Sequence, residues 1–462
     1  MFVTVLSGQV SGVDERIEVF SPVDGTLVSQ VPVADLAAVT AAVKAARGAA
    51  SGWARTAPAA RSAALRAGAD AVEAAARDLA EIMHAEMGKP VDDALGSIEA
   101  GVGTLRQYAE IGQLHGGRTL AGDDAAIDLM VRQPRGVVAA ITPWNDPVAV
   151  SCGLLGAALV TGNTVVYKPS ERTPATGVRL AALLAPAFPE AVLSVLSGAG
   201  DVGAALAAAD VDVVAHVGST VTGRAIAAAC ARTGAKALLE NGGSDALIVD
   251  AGVDPEWAAA QAALGAFANS GQICVAVERI YVHRSVASPF IDALVREATD
   301  WSGGPLVDVR HRLFVHGQVS AAVAAGATVH CGGVIPDGPG AYYPATVLSG
   351  CTDDMAVVAA ETFGPVAPVV VVDSFDEALT RAARSEYGLA ASVLTASMSH
   401  AQQAWRELPV GTVKVNAVFG GAPGGAAHPR RGSGEGFGYG PELLDEMTVT
   451  KVVHLEAPLG GW

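Results

Sequence analysis

The chain has 462 residues, of which 51% are hydrophobic and 17% are charged, and its formal net charge is −17. A chain of this length exceeds the usual size of a single hydrophobic core, so two or three globular domains are expected. The acidic balance works against binding to nucleic acid or to an anionic membrane, because both depend on basic patches.

The longest apolar stretches fall short of the roughly 18 residues of a membrane span, and the first residues lack the basic region of a secretory signal. We therefore expect a cytoplasmic protein with no membrane partner. Five scattered cysteines form no Cys-x-x-Cys pair: Cys152, Cys230, Cys274, Cys331 and Cys351. Their odd number and spacing argue against a disulfide framework and a structural zinc site, so no metal centre is expected.

The first strong helix prediction begins at Asp35, which can cap a segment whose Leu36, Val39 and Val43 share one face. Ala-rich helices are predicted from there to about residue 110. Short apolar runs then alternate with helices, as strands buried on both faces do. The runs are residues 136–142, 164–168, 192–197 and 213–217. The alternation predicts a parallel, doubly wound sheet that binds ligands at the carboxyl ends of its strands.

A second α/β half is predicted from Ala246 onward, with strands near residues 279–283 and 366–372. Residues 420–440 are rich in glycine, and composition leaves two interpretations open: a flexible linker, or a loop that approaches a ligand closely. Arg430 and Arg431 lie in this segment. They are candidates for binding a substrate carboxylate, or they are simply exposed to solvent.

Two glycine turns resemble phosphate-binding turns. Gly198-x-Gly200-x-x-Gly203 has the spacing of a dinucleotide fingerprint, although chance explains it equally well in a chain with 53 glycines. In Gly218-Ser219-Thr220 the serine can cap a helix and also reach a pyrophosphate. A plain helix cap is the alternative.

Two acidic segments suit the ribose units of a dinucleotide. Lys168-Pro-Ser-Glu171 follows a predicted strand, and its glutamate favours the free hydroxyls of NAD over the 2′-phosphate of NADP. Glu361-Thr-Phe363 combines a carboxylate that can hold a ribose with a ring that can flank a nicotinamide. The alternatives are a solvated turn and a turn with a buried phenylalanine.

Three residues offer covalent chemistry at a carbonyl carbon. A Cys274 thiolate is a strong nucleophile, the Glu240 carboxylate can deprotonate water, and the Asn145 amide can donate a hydrogen bond to an oxyanion.

Taken in order along nearly the whole chain, these motifs resemble the aldehyde dehydrogenase superfamily. The resemblance implies an α/β fold with a Rossmann-like NAD(P)-binding domain, an α/β catalytic domain and a small β oligomerisation element. The implied boundaries are residues 1–112 and 134–242, residues 243–446, and residues 113–133 with 447–462. It also implies Cys274 as nucleophile, Glu240 as general base and Asn145 as part of an oxyanion hole. The residues implied at the NAD(P) site are Ile141, Trp144, Lys168, Ser170, Glu171, Gly200, Gly218, Ser219, Gly223, Asn241, Glu361 and Phe363.

The reaction that the resemblance implies is NAD(P)-dependent oxidation of an aldehyde to a carboxylic acid. It passes through a thiohemiacetal and a thioester on Cys274, and water activated by Glu240 hydrolyses the thioester. Transfer to coenzyme A is disfavoured, because the acylating branch of the family typically lacks that glutamate. NAD is the expected cofactor, with NADP as an accepted substitute. Alternatives are a semialdehyde or aminoaldehyde specialist of one pathway, and a nucleotide-binding structural protein of the same fold.

The family is oligomeric through a hairpin and a C-terminal strand, for which residues 116–132 and 448–455 are the counterparts here. Because an exposed edge strand needs a pairing partner, a homodimer or homotetramer is expected.

The chain departs from the family pattern at the expected substrate pocket, whose candidate residues are Asp146, Gly153, Ile273 and Val275. Asp146 stands where an apolar residue is usual. It either faces the aldehyde, which favours a polar or cationic substrate, or turns away as a loop cap. Gly153 stands where tryptophan is common, and either widens the pocket or leaves space that a neighbouring loop fills. Asn241 replaces a leucine beside the base, and the connection at residues 301–305 is unusually short.

Overall fold

The computed structural model describes residues 15–421 and 425–456. Within these ranges no helix has both the length and the apolar character needed to cross a membrane. The strands are β1 (Arg16–Phe20), β2 (Leu27–Pro32), β3 (Arg118–Leu120), β4 (Ala126–Pro134), β5 (Val137–Ile141), β6 (Thr164–Lys168), β7 (Leu193–Val195), β8 (Val213–Val217), β9 (Lys236–Glu240), β10 (Asp245–Val249), β11 (Val277–His283), β12 (Thr328–Cys331), β13 (Thr346–Ser349), β14 (Val366–Val372), β15 (Ala390–Leu394), β16 (Thr412–Val415), β17 (Gly434–Glu435) and β18 (Thr448–Glu456).

Helices alternate with these strands over most of the chain. They are α1 (Leu36–Arg55), α2 (Pro58–Ala74), α3 (Ala76–Met87), α4 (Val91–Ile111), α5 (Pro147–Val160), α6 (Pro174–Leu184), α7 (Gly200–Ala207), α8 (Thr220–Thr233), α9 (Pro255–Phe267), α10 (Arg284–Asp300), α11 (Val309–Ala324), α12 (Ala356–Ala359), α13 (Phe375–Ala382), α14 (Met398–Glu407) and α15 (Glu442–Glu446).

Helix α1 begins where its capping residue predicts. The Asp35 carboxylate accepts a hydrogen bond from the Ala38 backbone N–H at 2.7 Å, which satisfies one of the unpaired donors of the first turn. Val39, Val43 and Trp53 form part of its buried face.

A six-stranded sheet has the order β17-β9-β8-β5-β6-β7, and its strands are parallel apart from the short β17. Every residue of β5, β6 and β8 is buried, as expected for strands covered by helices on both faces. The register places Ile141 beside Lys168, and Val217 beside Glu240. The carboxyl ends of β5, β6, β8 and β9 therefore meet at one edge of the sheet.

A seven-stranded sheet has the order β12-β13-β14-β11-β10-β15-β16, with β12 alone antiparallel to its neighbour. Cys274 lies just before β11, so this sheet supplies the proposed nucleophile. The two parallel sheets with their helices confirm the predicted α/β class, while the domain boundaries given above stay a prediction.

A third sheet, β18-β4-β3, is antiparallel. Strands β4 and β18 pair along their whole lengths, from Thr448 opposite Pro134 to Glu456 opposite Ala126. Strand β18 is an edge of this sheet and exposes Val449, Val452 and Leu455.

Candidate active site

The loop before Cys274 has an unusual backbone. Asn269, Ser270 and Gly271 have φ values of 49°, 55° and 73°, in the left-handed region. Asparagine tolerates this conformation, whereas a serine there is strained. At Gly271 a Cβ would lie 2.2 Å from the carbonyl oxygen of Gly364, so only glycine fits. The loop thus has a conformation that its surroundings must hold.

Side chains of the loop supply that support. Ser270 Oγ donates to the Gly304 carbonyl at 2.7 Å, and Gln272 Oε1 accepts from the Val307 backbone N–H at 2.8 Å. Both partners lie in or beside the short connection at residues 301–305. That connection therefore braces the loop of Cys274 in addition to joining α10 to α11.

Cys274 and Glu240 face each other across the boundary between the two large sheets. Cys274 Sγ lies 3.7 Å from Glu240 Oε1, at the carboxyl end of β9. Burial, followed by the nearby carboxylates of Glu240 and Asp245, raises the pKa of the Cys274 thiol well above its ordinary value. Burial also raises the pKa of Glu240. Both groups therefore keep their protons to a higher pH than the isolated side chains do. The Glu240 carboxylate, when ionised, lies close enough to accept the thiol proton of Cys274.

Asn145 reaches the same loop from the carboxyl end of β5. Its Nδ2 donates to the Gln272 carbonyl at 3.1 Å, two residues before Cys274. The backbone carbonyl of Asn145 in turn accepts from Asn269 Nδ2 at 3.4 Å. An asparagine amide has two N–H donors, so the second can serve a ligand beside Cys274.

The turn at Gly218 has the geometry expected of an anion site. Ser219 caps α8 by accepting from the Thr222 backbone N–H at 3.3 Å, and the Gly218 N–H donates to the Glu240 carbonyl at 3.0 Å. The N-terminus of this 14-residue helix therefore opens close to Glu240. Gly223 has a packing role, because a Cβ there would lie 1.9 Å from Asn241 Oδ1.

The turn of Glu361 and Phe363 is held by two residues that the sequence analysis missed. The buried Glu278 carboxylate accepts from the backbone N–H groups of Thr362 and Phe363, at 2.9 and 2.7 Å. His311 Nε2 donates to the Phe363 carbonyl at 2.7 Å. These contacts fix Phe363, whose φ of 52° is unusual for an aromatic residue.

The titratable groups at this turn have strongly shifted pKa values. Burial raises the pKa of Glu361 to about 7, although the Gly243 N–H donates to its carboxylate at 3.0 Å. Burial, and then the neighbouring Glu361, raises the pKa of Glu278 well above its ordinary value. Burial lowers the pKa of His311, which favours the neutral ring.

An aromatic wall flanks the turn. The Trp144 and Phe363 rings meet edge to face with centroids 5.4 Å apart, and His311 contacts Trp144 at 5.7 Å. The Arg172 guanidinium lies over Trp144, 5.2 Å from the ring centroid. Asp308 lies 3.5 Å from Arg172 Nε. Neither Arg172 nor His311 was predicted, because no local pattern marks either as part of a site.

These elements enclose a cavity of about 290 Å³. It is lined by Pro143, Trp144, Asn145, Val150, Arg172, Val217, Gly218, Ser219, Glu240, Asn241, Gly242, Cys274, His311, Phe314, Glu361 and Phe363. All three candidate catalytic residues and six of the twelve candidate cofactor residues thus share one cavity.

The other six candidate cofactor residues lie outside this lining: Ile141, Lys168, Ser170, Glu171, Gly200 and Gly223. Ile141 and Lys168 end neighbouring strands. The Lys168 side chain is buried, donates to the Pro169 carbonyl at 2.9 Å, and lies beside Gly203 of α7. The Gly198-x-Gly200-x-x-Gly203 turn and Lys168 therefore meet at the same sheet edge, and Glu171, three positions after Lys168, is partly exposed.

The glycine-rich segment lies over Glu240, the predicted base. Gly434 pairs with Glu240, and the Ser433 carbonyl accepts from the Asn241 backbone N–H at 2.8 Å. At Gly438 a Cβ would lie 2.7 Å from Glu240 Oε2. Of the two interpretations, the described part of this segment supports a loop over the site; Gly424 lies outside the described residues.

Neither arginine of this segment lines the cavity beside Cys274. Both are exposed, and Arg431 Nη1 donates to the carbonyls of Ala383 and Ser385 at 2.7 and 2.5 Å. The structure thus gives Arg431 a role in holding the segment.

The substrate candidates are distributed differently from the expectation. Asp146 lies at the N-cap position of α5 without a side-chain cap hydrogen bond; its carboxylate accepts from Ser97 Oγ and lies 3.7 Å from Lys89 Nζ, outside the lining of the cavity beside Cys274. Its role toward the substrate stays a prediction. Ile273 lines a second cavity of about 520 Å³, whereas Asp146, Gly153 and Val275 lie outside the linings of both cavities. Gly153 is buried, yet a Cβ built on it meets no described atom within 4 Å. No described loop fills that space.

Fold and site together define an α/β protein whose parallel sheets surround one cavity lined by Cys274, Glu240 and Asn145. The model of the aldehyde dehydrogenase family matches residues 9–453. A 3,6-anhydro-alpha-L-galactose dehydrogenase of Streptomyces coelicolor is 36% identical, over 95% of this chain and 93% of its own. A benzaldehyde dehydrogenase [NAD(+)] of Pseudomonas putida is 34% identical, over 95% and 92%.

Solved structures agree with these relatives. An indole-3-acetaldehyde dehydrogenase in complex with NAD+ has a TM-score of 0.93 and 34% identity, with 98% of this chain and 96% of that chain covered. A 3,6-anhydro-L-galactose dehydrogenase in complex with NAP has a TM-score of 0.92 and 32% identity, with 96% of both chains covered. The chain belongs to the aldehyde dehydrogenase family, as its motifs predicted, and it is an oxidoreductase that acts on aldehydes.

Proposed function

We propose that this protein oxidises an aldehyde to a carboxylic acid, with Cys274 as the nucleophile and NAD as the hydride acceptor. The observation that carries the proposal is the 3.7 Å approach of Cys274 Sγ to the Glu240 carboxylate, inside a cavity that Asn145 also lines. A thiol, a base and an amide donor in one cavity are the groups that acyl chemistry at a carbonyl carbon needs.

The residues of the cavity fit a nicotinamide dinucleotide. The Gly218-Ser219 turn offers backbone donors at a helix N-terminus for a pyrophosphate, and Glu361 offers a carboxylate for ribose hydroxyls. At Gly242 a Cβ would lie 2.3 Å from Glu361 Oε2, so glycine keeps the carboxylate accessible there. Phe363 forms an apolar side. When bound, the dinucleotide accepts the hydride that leaves the aldehyde carbon.

The first half of the reaction uses the Cys274 pair and Asn145. The Cys274 thiol transfers its proton to the Glu240 carboxylate as the S–C bond forms. The carbonyl oxygen becomes an oxyanion, which accepts from Asn145 Nδ2 and the Cys274 backbone N–H. Loss of the hydride then restores the C=O bond and leaves a thioester on Cys274.

In the second half Glu240, having released its proton to solvent, takes a proton from water. The resulting hydroxide attacks the thioester carbon, the C–S bond breaks, and the Cys274 thiolate regains the proton that Glu240 took from water. Because Glu240 is present and lies beside the sulfur, we propose hydrolysis and not transfer to coenzyme A.

The cofactor, the assembly and the location are proposed on separate grounds. Glu171 favours NAD through the ribose hydroxyls, and NADP is the proposed substitute, since one similar structure contains NAD+ and another NAP. Strand β18, with exposed apolar side chains, supports a homodimer or homotetramer. The cytoplasmic location stays a prediction. Neither a one-pathway semialdehyde or aminoaldehyde specialist nor a structural protein is favoured by the comparisons.

The test follows NADH absorbance at fixed NAD with a panel of small aldehydes, and identifies the acid by mass spectrometry. We expect turnover by the wild type and none above background for Cys274→Ala. The matched control is Cys331→Ala, which removes a partly exposed thiol outside the lining of this cavity and should keep full activity. Equal activity of wild type and Cys274→Ala would exclude the proposed nucleophile.

A further inference from the structure

A polar group outside the catalytic cavity joins three elements of the chain. Lys89, between α3 and α4, has its Nζ 3.2 Å from Ser97 Oγ of α4 and 3.7 Å from Asp146 Oδ2 before α5. Ser97 Oγ also donates to Asp146 Oδ1. The Lys89 side chain is only 10% exposed, so its charge is largely removed from water and needs these partners.

Lys89 of this group lines the second cavity, together with Gly96 and with Ile273, the residue before the proposed nucleophile. Asp146 lies outside that lining, but it immediately follows Asn145, and 34% of its side chain stays exposed beside Lys89. The second cavity thus extends from Lys89 to the loop of Cys274.

The group presents a donor and an acceptor side by side. The Lys89 ammonium has three N–H donors, of which one serves Ser97 and one points toward Asp146. The Asp146 carboxylate has more acceptor sites than the Ser97 hydroxyl uses. A hydroxyl is itself both a donor and an acceptor, so it can bind to such a pair without leaving either charge unpaired.

From this arrangement, and resting on the proposed function, we infer that the substrate is a small hydroxylated aldehyde without net charge, whose hydroxyls bind the Lys89–Asp146 pair. An anionic aldehyde meets Asp146, and Asp92 and Asp93 also line the second cavity. A cationic aldehyde competes with Lys89 for Asp146. An alkyl chain covers both charges without replacing their hydrogen bonds to water.

The experiment compares glyceraldehyde with propanal, which share a three-carbon chain and differ by two hydroxyls. Values of kcat/KM are referred to the unhydrated aldehyde, measured by proton NMR. Butanal and 4-oxobutanoate form a second pair that tests a carboxylate. We expect glyceraldehyde to be preferred over propanal by about tenfold or more, as hydrogen bonds to charged groups allow. We expect the kcat/KM for 4-oxobutanoate to be no higher than that for butanal.

Two variants test the assigned residues. In Lys89→Met/Asp146→Leu, which stays neutral overall, the preference for glyceraldehyde should fall to about one while propanal activity persists. Asp146→Asn keeps a hydrogen-bond acceptor for Ser97 and should lower the preference by a smaller factor. This variant decides the question if the double variant does not fold. Glu81→Gln, at an exposed ion pair with Arg77 on α3, is the matched control and should keep the wild-type preference.

The outcomes separate the two proposals. Wild-type enzyme that oxidises neither these four aldehydes nor any member of the aldehyde panel contradicts the proposed function, whereas activity on the panel without activity on glyceraldehyde overturns the inference alone. If the wild-type kcat/KM for propanal or for 4-oxobutanoate equals that for glyceraldehyde, the inference alone is overturned. A glyceraldehyde preference that survives in both variants also overturns it, because the hydroxyls are then bound elsewhere.

Discussion

The sulfur of Cys274 lies 3.7 Å from a carboxylate oxygen of Glu240, although the two residues belong to different sheets. Glu240 ends β9 of the six-stranded sheet, and Cys274 precedes β11 of the seven-stranded sheet. The chemistry of the site therefore depends on how the two halves of the chain pack. Because burial raises the pKa of Cys274 well above its ordinary value, the thiol is the resting form, and the proposed mechanism needs Glu240 as a base for attack and for hydrolysis alike.

Replacing Glu240 by glutamine should slow both the attack of Cys274 on the aldehyde and the hydrolysis of the thioester. An amide can neither accept the thiol proton nor deprotonate water, so we expect kcat to fall by roughly 10²–10⁴, the usual contribution of a general base. The rate of NADH formation in a single turnover should fall as well, because it depends on the same proton transfer. Glu435→Gln, an exposed residue paired with β9, is the control. Unchanged steady-state turnover in Glu240→Gln contradicts this role.

Replacing Arg172 by glutamine should weaken NAD binding. The guanidinium lies over Trp144 and lines the same cavity as Ser219, so it can pair with the phosphates of a dinucleotide bound there. We expect the Kd for NAD, measured by calorimetry without aldehyde, to rise by about tenfold, and less in Arg172→Lys. Arg310→Gln removes an exposed arginine near the same Asp308 and should leave the Kd unchanged. Equal Kd values for NAD in Arg172→Gln and wild type would contradict a contact between Arg172 and the dinucleotide.

Asp245 should make stability fall as pH rises. Its Oδ1 accepts from the Ala390 N–H at 3.0 Å, and burial raises its pKa from 3.8 to about 8. The folded protein keeps a proton that the unfolded chain releases above about pH 4. The stabilisation is thus complete below that pH and is lost as pH rises through about 8.

The comparison uses Asp245→Asn, whose amide mimics the protonated acid and still offers an oxygen to Ala390. We expect the melting temperature of the wild type to drop more between pH 5 and 8.5 than that of the variant. Asp124→Asn, at an exposed turn, should follow the wild type. Parallel curves for wild type and Asp245→Asn would count against a buried, protonated Asp245.

A charge on β18 should dissociate the proposed oligomer. Val452 is 64% exposed on an edge strand, where an apolar side chain suits an interface. In Val452→Asp the buried charge opposes association, so sedimentation velocity should show a smaller species than for wild type. Met398→Asp, at a residue 73% exposed on α14, is the control. Equal sedimentation of all three proteins places the interface elsewhere.

Part of the site carries a signal in the sequence. Glu278 and Arg279 are charged residues inside an otherwise apolar strand, which indicates a buried polar role, and the structure gives Glu278 the task of holding Phe363. His311 had no comparable signal. It reaches Phe363 from 52 positions away, and nothing around it in the sequence distinguishes it from other helix residues.

The sequence by itself determined the alternation of strands and helices, the helix cap at Ser219 and the family, since apolar periodicity and short motifs act through neighbouring residues. It also determined the three catalytic candidates, because their spacing and order match a known pattern. Only the tertiary structure decided what the isolated side chains contact: Arg172 lies over Trp144, and Asp146 pairs with Lys89. Such contacts form between elements distant in the chain, and their geometry depends on packing that no local pattern encodes.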